Sequence, residues 1–223
     1  ETAVYSQERE TQVNTVWALS RHNIETNTQI LSKAVTSQTL GDESLSIIAG
    51  IRAAPAVFKE AFENDSLTNT DKRNLLRVIA NNTKLAPEEV RNQTAEVVKP
   101  LLNSSDEKVQ QDAIEALVKI GATENQSEAL AEKLDSANPV LQGAALYAYA
   151  QYTTPRTYKP LKQLWYDNDE KIRRTAFHLA SPFLNMSDEE DLQKATKHQD
   201  EFISGQAKLK IKQLDLQKKI LSQ

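Results

Sequence analysis

Three stretches of the chain lay their side chains on one template, and that regularity limits the possible fold more than any other feature. From Val98, Leu130 and Leu161, apolar residues recur at the start and then 3, 4, 11, 15, 18, 19 and 22 residues on. The first copy is Val98, Leu101, Leu102, Val109, Ala113, Ala116, Leu117 and Ile120. The second is Leu130, Lys133, Leu134, Leu141, Ala145, Ala148, Tyr149 and Tyr152, in which Lys133 alone breaks the apolar rule. The third is Leu161, Leu164, Trp165, Ile172, Ala176, Leu179, Ala180 and Phe183. Eight residues from each start stand Asp106, Asn138 and Asp169, side chains suited to capping a helix. The spacing predicts a helix, a short turn and a capped second helix, repeated every 31 to 32 residues. Such a unit cannot bury its apolar face alone, so the copies must stack.

A fourth, degenerate copy starts at Leu192 and continues through Ala195, Thr196, Ile203, Ala207, Lys210, Ile211 and Leu214, with Asp200 at the capping position. Its last helix carries Lys208, Lys210, Lys212, Lys218 and Lys219, a polar outer side of the kind an open array needs to end in water. Ser187 and Glu190 have capping-box spacing ahead of it. Before Val98 the template is lost, although helical patterns continue. Asp42 and Asp71 stand where they could cap helices, and Pro55 and Pro87 near helix starts, where proline is tolerated. The expectation is one all-α domain over 1–223, with divergent helical hairpins over 1–97, regular repeats over 98–183 and a degenerate capping repeat over 187–223. About eleven or twelve helices are expected. No alternating β-pattern or long linker interrupts them.

The segment Asp106-Glu107-Lys108-Val109 through Ala113-Ile114-Glu115-Ala116-Leu117 resembles HEAT-like repeats, in which an Asp-x-x-Val run leads into an Ala/Leu-rich second helix. Asp169-Glu170-Lys171-Ile172-Arg173-Arg174-Thr175-Ala176 resembles the same motif, and Asn138-Pro139-Val140-Leu141 is a looser match. The resemblance is to the short variety also found in bilin lyases. It implies a right-handed α-α superhelix, a solenoid whose second helices line a concave face. It implies no particular activity, because such repeats serve many functions.

Composition excludes several classes. The chain has no cysteine, which removes disulfides, thiolate nucleophiles and Cys-ligated zinc. The lack of thiols suits an oxidising compartment, and a chain opening at Glu1 suits a cleaved export signal, so a bacterial periplasm is expected, with the cytoplasm as the alternative. No run of about 20 apolar residues could span a bilayer. The formal net charge of −4 argues against a domain built chiefly to hold nucleic acid. His22, His178 and His198 lack HExxH spacing, and no nucleophile elbow or phosphate loop occurs. The acidic run Asp188-Glu189-Glu190-Asp191 lacks the alternation of a calcium loop. Neither a catalytic residue nor a cofactor is expected. The Asn-x-Ser/Thr sites at Asn64, Asn81, Asn92, Asn103, Asn125 and Asn185 read as caps and turns.

On the second helices, offsets 10, 13, 17 and 20 point away from the buried stripe at 100° per residue. They hold Lys108, Gln111, Glu115 and Val118 in the first copy, then Val140, Gly143, Tyr147 and Ala150, then Lys171, Arg174, His178 and Ser181. With stacked helices about 8–10 Å apart, Glu115, Tyr147 and His178 should form one row. The expected function is a non-enzymatic module that binds a protein or peptide along this ridge. Its partner-binding residues would be Tyr147, Lys171, Arg173, Arg174, His178, Glu115 and Gln111. Of the tyrosines clustered with Trp165, Tyr149 and Tyr152 hold core positions, whereas Tyr147, Tyr158 and Tyr166 are free to meet a partner. Arg156, Lys159, Lys162, Lys171, Arg173 and Arg174 make the third repeat basic, so binding of a nucleic-acid backbone is the alternative. A helical appendage of a larger enzyme is another.

Overall fold

The computed structural model describes residues 2–21, 25–37, 39–121, 129–151 and 153–221. All regular structure among them is helical. His22, Asn125 and Tyr152 lie outside the described residues. The chain divides into two compact units, Glu1–Ala129 and Leu130–Gln223, so the first template copy falls in one and the remaining three in the other.

The first unit contains α1 (Arg9–Ser20), α2 (Glu25–Thr36), α3 (Asp42–Gly50), α4 (Ala54–Phe62), α5 (Asn69–Asn82), α6 (Glu88–Val98) and α7 (Glu107–Ile120). Alternate helices pack on one another: α1 on α3, α3 on α5 and α5 on α7, with α2 on α4 and α4 on α6. The result is two layers around a core in which Ile48, Val57, Phe58, Leu76, Ile79, Leu117 and Ile120 are wholly buried. Stacking therefore persists where the sequence template disappears. Counted from Ala61, four of the five second-helix offsets fall on Leu76, Ile79, Ala80 and Thr83, all buried, and the other on half-buried Lys72. The first-helix offsets fall instead on Asn64 and Asp65, in the α4–α5 connection. A changed connection hides the repeat while the second helix keeps its face.

The second unit contains α8 (Pro139–Ala150), α9 (Glu170–Ala180), α10 (Glu189–Ala195) and α11 (Glu201–Leu221). Helix α9 packs against α8 on one side and α11 on the other, while α10 pairs with α11. The first helices of the regular copies are partly or wholly 3-10 rather than α, at Lys99–Asn103, Lys133–Asp135 and Lys159–Tyr166. Pro100 and Pro160 sit near two of those starts. In Lys159–Tyr166 the three-residue period still carries Leu161 and Leu164 into the core with Trp165.

The caps follow the template. Asp106 Oδ1 accepts from the Lys108 and Val109 amides at 2.9 and 3.1 Å. Asn138 Oδ1 accepts from Val140 and Leu141 at 2.9 and 3.4 Å. Asp169 Oδ1 does the same for Lys171 and Ile172 at 2.7 and 3.2 Å, and Asp200 Oδ1 takes the Phe202 amide at 3.0 Å. Each satisfies amides that a helix start leaves open. Elsewhere three capping expectations are corrected. Gly41, not Asp42, precedes α3. Thr68 caps α5, with Asp71 as the third residue of its capping box. The box ahead of α10 is Asn185 with Asp188, not Ser187 with Glu190. In two of these the true cap lies a few residues earlier; at α5 a reciprocal pair satisfies more amides than Asp71 alone would. Gly121 ends α7 in the left-handed region at φ 72°, where a Cβ would be strained and would stand 3.1 Å from Arg91 Nη1.

Candidate functional site

The template predicts which side chains of the second unit are core. Leu130, Leu134, Leu141, Ala145, Ala148, Tyr149, Leu161, Leu164, Trp165, Ile172, Ala176 and Ala180 are buried, as are Leu192, Ala195, Ile203, Ala207 and Leu214 of the degenerate copy, whereas Leu179, Phe183 and Ile211 are half-buried. Tyr149 is anchored further, its hydroxyl donating to the Thr157 carbonyl, and Trp165 packs on Phe177 with centroids 4.7 Å apart. Burying this stripe turns the opposite offsets outward. Val140 and Tyr147 on α8 are 59% and 70% exposed, and Lys171 and His178 on α9 are exposed.

The degenerate fourth copy adds outward positions of its own. Carried on from Leu192, offsets 10 and 17 fall on Phe202 and Leu209, which the structure leaves exposed on α11. The same two offsets thus present Val140 and Tyr147 on α8, Lys171 and His178 on α9, and Phe202 and Leu209 on α11. The template offsets themselves mark Phe202 and Leu209 once they are applied to the degenerate copy. Between the outer helices, Arg174 on α9 lies over the Phe202 ring, its guanidinium carbon 5.6 Å from the centroid. On α8, Gly143 faces α9, and a Cβ there would make an ordinary contact with Ile172 Cδ1 at 4.0 Å.

Two expected binding residues have other partners. Arg173 does not belong to the open ridge: its side chain is 15% exposed and donates through Nε to the fully buried Asp200 carboxylate at 2.8 Å. It also reaches the Asn168 carbonyl at 3.0 Å. Arg174 is more open, yet its Nε also donates to Asp200, at 3.0 Å, and it pairs with Glu170 on the same helix. Burial alone would push the Asp200 carboxyl up, but the two guanidiniums and the Phe202 amide outweigh it and hold its pKa at about 2. Of the remaining expected residues, Gln111 and Glu115 are exposed on α7 in the first unit, Glu115 pairing with Lys119 at 2.8 Å.

Tyr158 is likewise corrected. It is buried, and its hydroxyl donates to Asp188 Oδ2 at 2.8 Å. Lys162 donates to the other oxygen of Asp188 at 2.9 Å and also pairs with Asp191. Burial and the adjacent carboxylate push the Tyr158 phenol up. Burial would push Asp188 up too, but the Asn185 amide, Lys162 and Tyr158 hold its carboxyl below the usual range. The acidic run is therefore structural: Glu189 takes Lys218 at 2.6 Å and Glu190 takes Lys194 at 2.7 Å. These pairs also account for much of the basic third repeat, since Lys162, Arg173 and Arg174 all face acids within the fold. Tyr166 remains 56% exposed and lies against His198, with ring centroids 5.1 Å apart. Among the described residues no His, Asp or Glu group is arranged to hold a metal ion, and no helix is long and apolar enough to cross a membrane.

The family model of HEAT repeats matches residues 94–181. No curated protein matches the chain. Among solved structures, a designed armadillo repeat protein in complex with peptide (KR)4 aligns with TM-score 0.53 and 16% identity, over 90% of this chain and 98% of that one. An engineered protein aligns with TM-score 0.51 and 19% identity, over 96% of this chain and 67% of that one. A computationally designed armadillo repeat protein for modular peptide recognition gives TM-score 0.51 at 16% identity, over 90% of this chain and 98% of that one. Residues 94–181 are thus similar to HEAT repeats, and the chain has the all-α repeat fold of HEAT and armadillo proteins.

Proposed function

We propose that the chain is a protein- or peptide-binding module whose partner lies across the outward face of the second helices of the second unit, α8, α9 and α11. One observation carries this reading. Among the described residues of the second unit, seven large apolar side chains are exposed, and six of them stand on second helices: Val140, Tyr147, Phe202, Leu209, Leu216 and Ile220. Apolar side chains gathered on one kind of helix mark a surface that gains from being covered. Tyr147 suits an anchor, since a rigid aromatic ring contributes much contact at little entropic cost. Lys171 and His178 between the apolar helices add polar contacts that orient a ligand. Repeat arrays offer extended surfaces of this kind, and the likeness to armadillo proteins designed for peptides is consistent with such use.

A random peptide library selected against the chain tests the reading. Selected peptides should lose at least tenfold in affinity to a Tyr147→Ala/Lys171→Glu variant, while Glu190→Lys on the first helix α10 leaves them unchanged. Peptides that bind all three proteins equally would remove the second-helix face as the site.

A further inference from the structure

A cleft in the first unit opens between α2, α3 and α5, with a volume of about 200 Å³. Val35, Leu40, Leu45, Leu67, Leu75 and Val78 form its apolar walls, and Thr36, Asp71 and Asn74 its polar ones. Two of the apolar walls come from connections between helices, and hydrogen bonds fix both. Leu40 stands between Thr39, whose carbonyl accepts from Gln12 Nε2 at 3.0 Å, and Gly41, whose amide donates to Gln12 Oε1 at 2.9 Å. Gln12 itself is buried. The Leu67 amide donates to the Asn64 carbonyl at 3.0 Å, and the next residue, Thr68, is tied to Asp71 by the capping box. The cleft is therefore formed before any ligand arrives. An apolar cavity of about 150 Å³ accepts benzene, so this one has room for a ring with a short substituent.

The polar walls select the head of the ligand. The Thr36 hydroxyl gives its proton to carbonyls of its own helix, Ser32 at 3.2 Å and Lys33 at 3.0 Å, so toward the cleft it can only accept. The ionised Asp71 carboxylate also only accepts, its Oδ2 taking the Thr68 amide at 3.0 Å. Two of the three polar walls thus call for a donor, and the Asn74 amide can serve either way. Asp71 would repel an anion, and a cation would lose hydration among six apolar side chains. We propose that the cleft binds a free small molecule, an uncharged ring or branched aliphatic body of about six to ten carbons that carries one hydroxyl or N–H donor. A protein partner would need a broader apolar surround. Among the described residues of the first unit, Trp17 and Leu85 alone are exposed large apolar side chains, and neither lines the cleft. The site shares no residue with the second-helix face of the second unit, so either stands without the other.

The test follows the leucine and valine methyls of the full chain by NMR during three titrations at pH 7. The probes are 4-ethylphenol, its isomer 4-methylanisole, which cannot donate, and the anion 4-ethylbenzoate. 4-Ethylphenol should give saturable shifts at the methyls of Leu40, Leu45, Leu67 and Leu75. It should bind about threefold or more tighter than 4-methylanisole and about tenfold or more tighter than 4-ethylbenzoate. Val78→Phe, which fills the cleft, should abolish the shifts. Asp71→Asn keeps a side chain able to accept from Thr68 and should bring 4-ethylbenzoate within about threefold of 4-ethylphenol. Amide spectra away from the cleft check that both variants fold, and the three-probe comparison in the parent decides the matter without them. Equal affinity for the three probes, shifts confined to methyls outside the cleft, or no saturable shift overturns the proposal. So does tighter binding of the peptide acetyl-Gly-Tyr-Gly-amide than of 4-ethylphenol, which would assign the cleft to a side chain of a partner.

Discussion

Arg173 Nε donates to Asp200 Oδ2 at 2.8 Å, joining the second helix of the third repeat to the start of the second helix of the fourth. An arginine expected to meet a partner is thus committed to the fold. Arg174 shares the same carboxylate. Asp200 is at once helix cap, ion-pair partner and link between repeats, and it is wholly shielded from water.

Replacing Asp200 with Asn should lower unfolding free energy at pH 7 by about 2–4 kcal/mol, because two guanidiniums lose their buried counter-charge. The pH dependence follows from its depressed pKa. A pKa of about 2 in the fold lies below the roughly 3.9 of an unfolded aspartate, so the contribution is present in full above about pH 5. It disappears as pH falls through 2. Urea titrations of both proteins at intervals from pH 7 to 2 should show a constant gap that closes below about pH 4.

Arg173→Met and Tyr147→Ala should separate fold from binding. Arg173→Met removes a largely buried partner of Asp200 and should cost about 1–3 kcal/mol in thermal or chemical unfolding. The Tyr147 side chain is 70% exposed, so its alanine variant should unfold within about 0.5 kcal/mol of the parent. A large loss of stability from Tyr147→Ala would show that the ring packs, and it would weaken the case for an anchor.

Tyr158→Phe tests the second polar cluster. It keeps the ring beside Phe183, whose centroid is 6.2 Å away, and removes one donor to Asp188. The expected loss is about 1–2 kcal/mol, and the Asp188 carboxyl should titrate higher than in the parent, as read by carbon NMR of labelled aspartate. An unchanged Asp188 titration would assign its low pKa to Lys162 and the Asn185 amide alone.

Thr94→Val should stabilise the chain. Thr94 is fully buried on α6, and its hydroxyl has no hydrogen-bond partner among the described residues. An isosteric methyl removes that unmet desolvation penalty, worth about 1–2 kcal/mol. A rise in the denaturant midpoint at unchanged slope would confirm it, and a fall would point to a partner for the hydroxyl.

Gly121→Ala should cost about 1–2 kcal/mol, since alanine would have to adopt a left-handed backbone at φ 72° while crowding Arg91. Amide hydrogen exchange should localise the loss to the end of α7.

The repeat period, the capping residues Asp106, Asn138, Asp169 and Asp200, and the division of Tyr149 and Trp165 from Tyr147 were all legible in the sequence. Each depends on spacing along one helix, and helical periodicity is a local property of the chain. The fates of Arg173, Tyr158 and Lys162 were not legible. Their partners Asp200 and Asp188 lie 26 to 30 residues away, and only the stacking of successive repeats brings those carboxylates within reach. The two-layer packing of the first unit was hidden for a related reason: a changed α4–α5 connection disrupts a fixed-offset pattern without disturbing how α5 meets α7. Sequence alone determined that this chain stacks helical repeats and which faces it buries, because burial sets the pattern. Tertiary structure decided which charges remain on the surface, because a charge is claimed by whatever opposite charge the packing brings beside it.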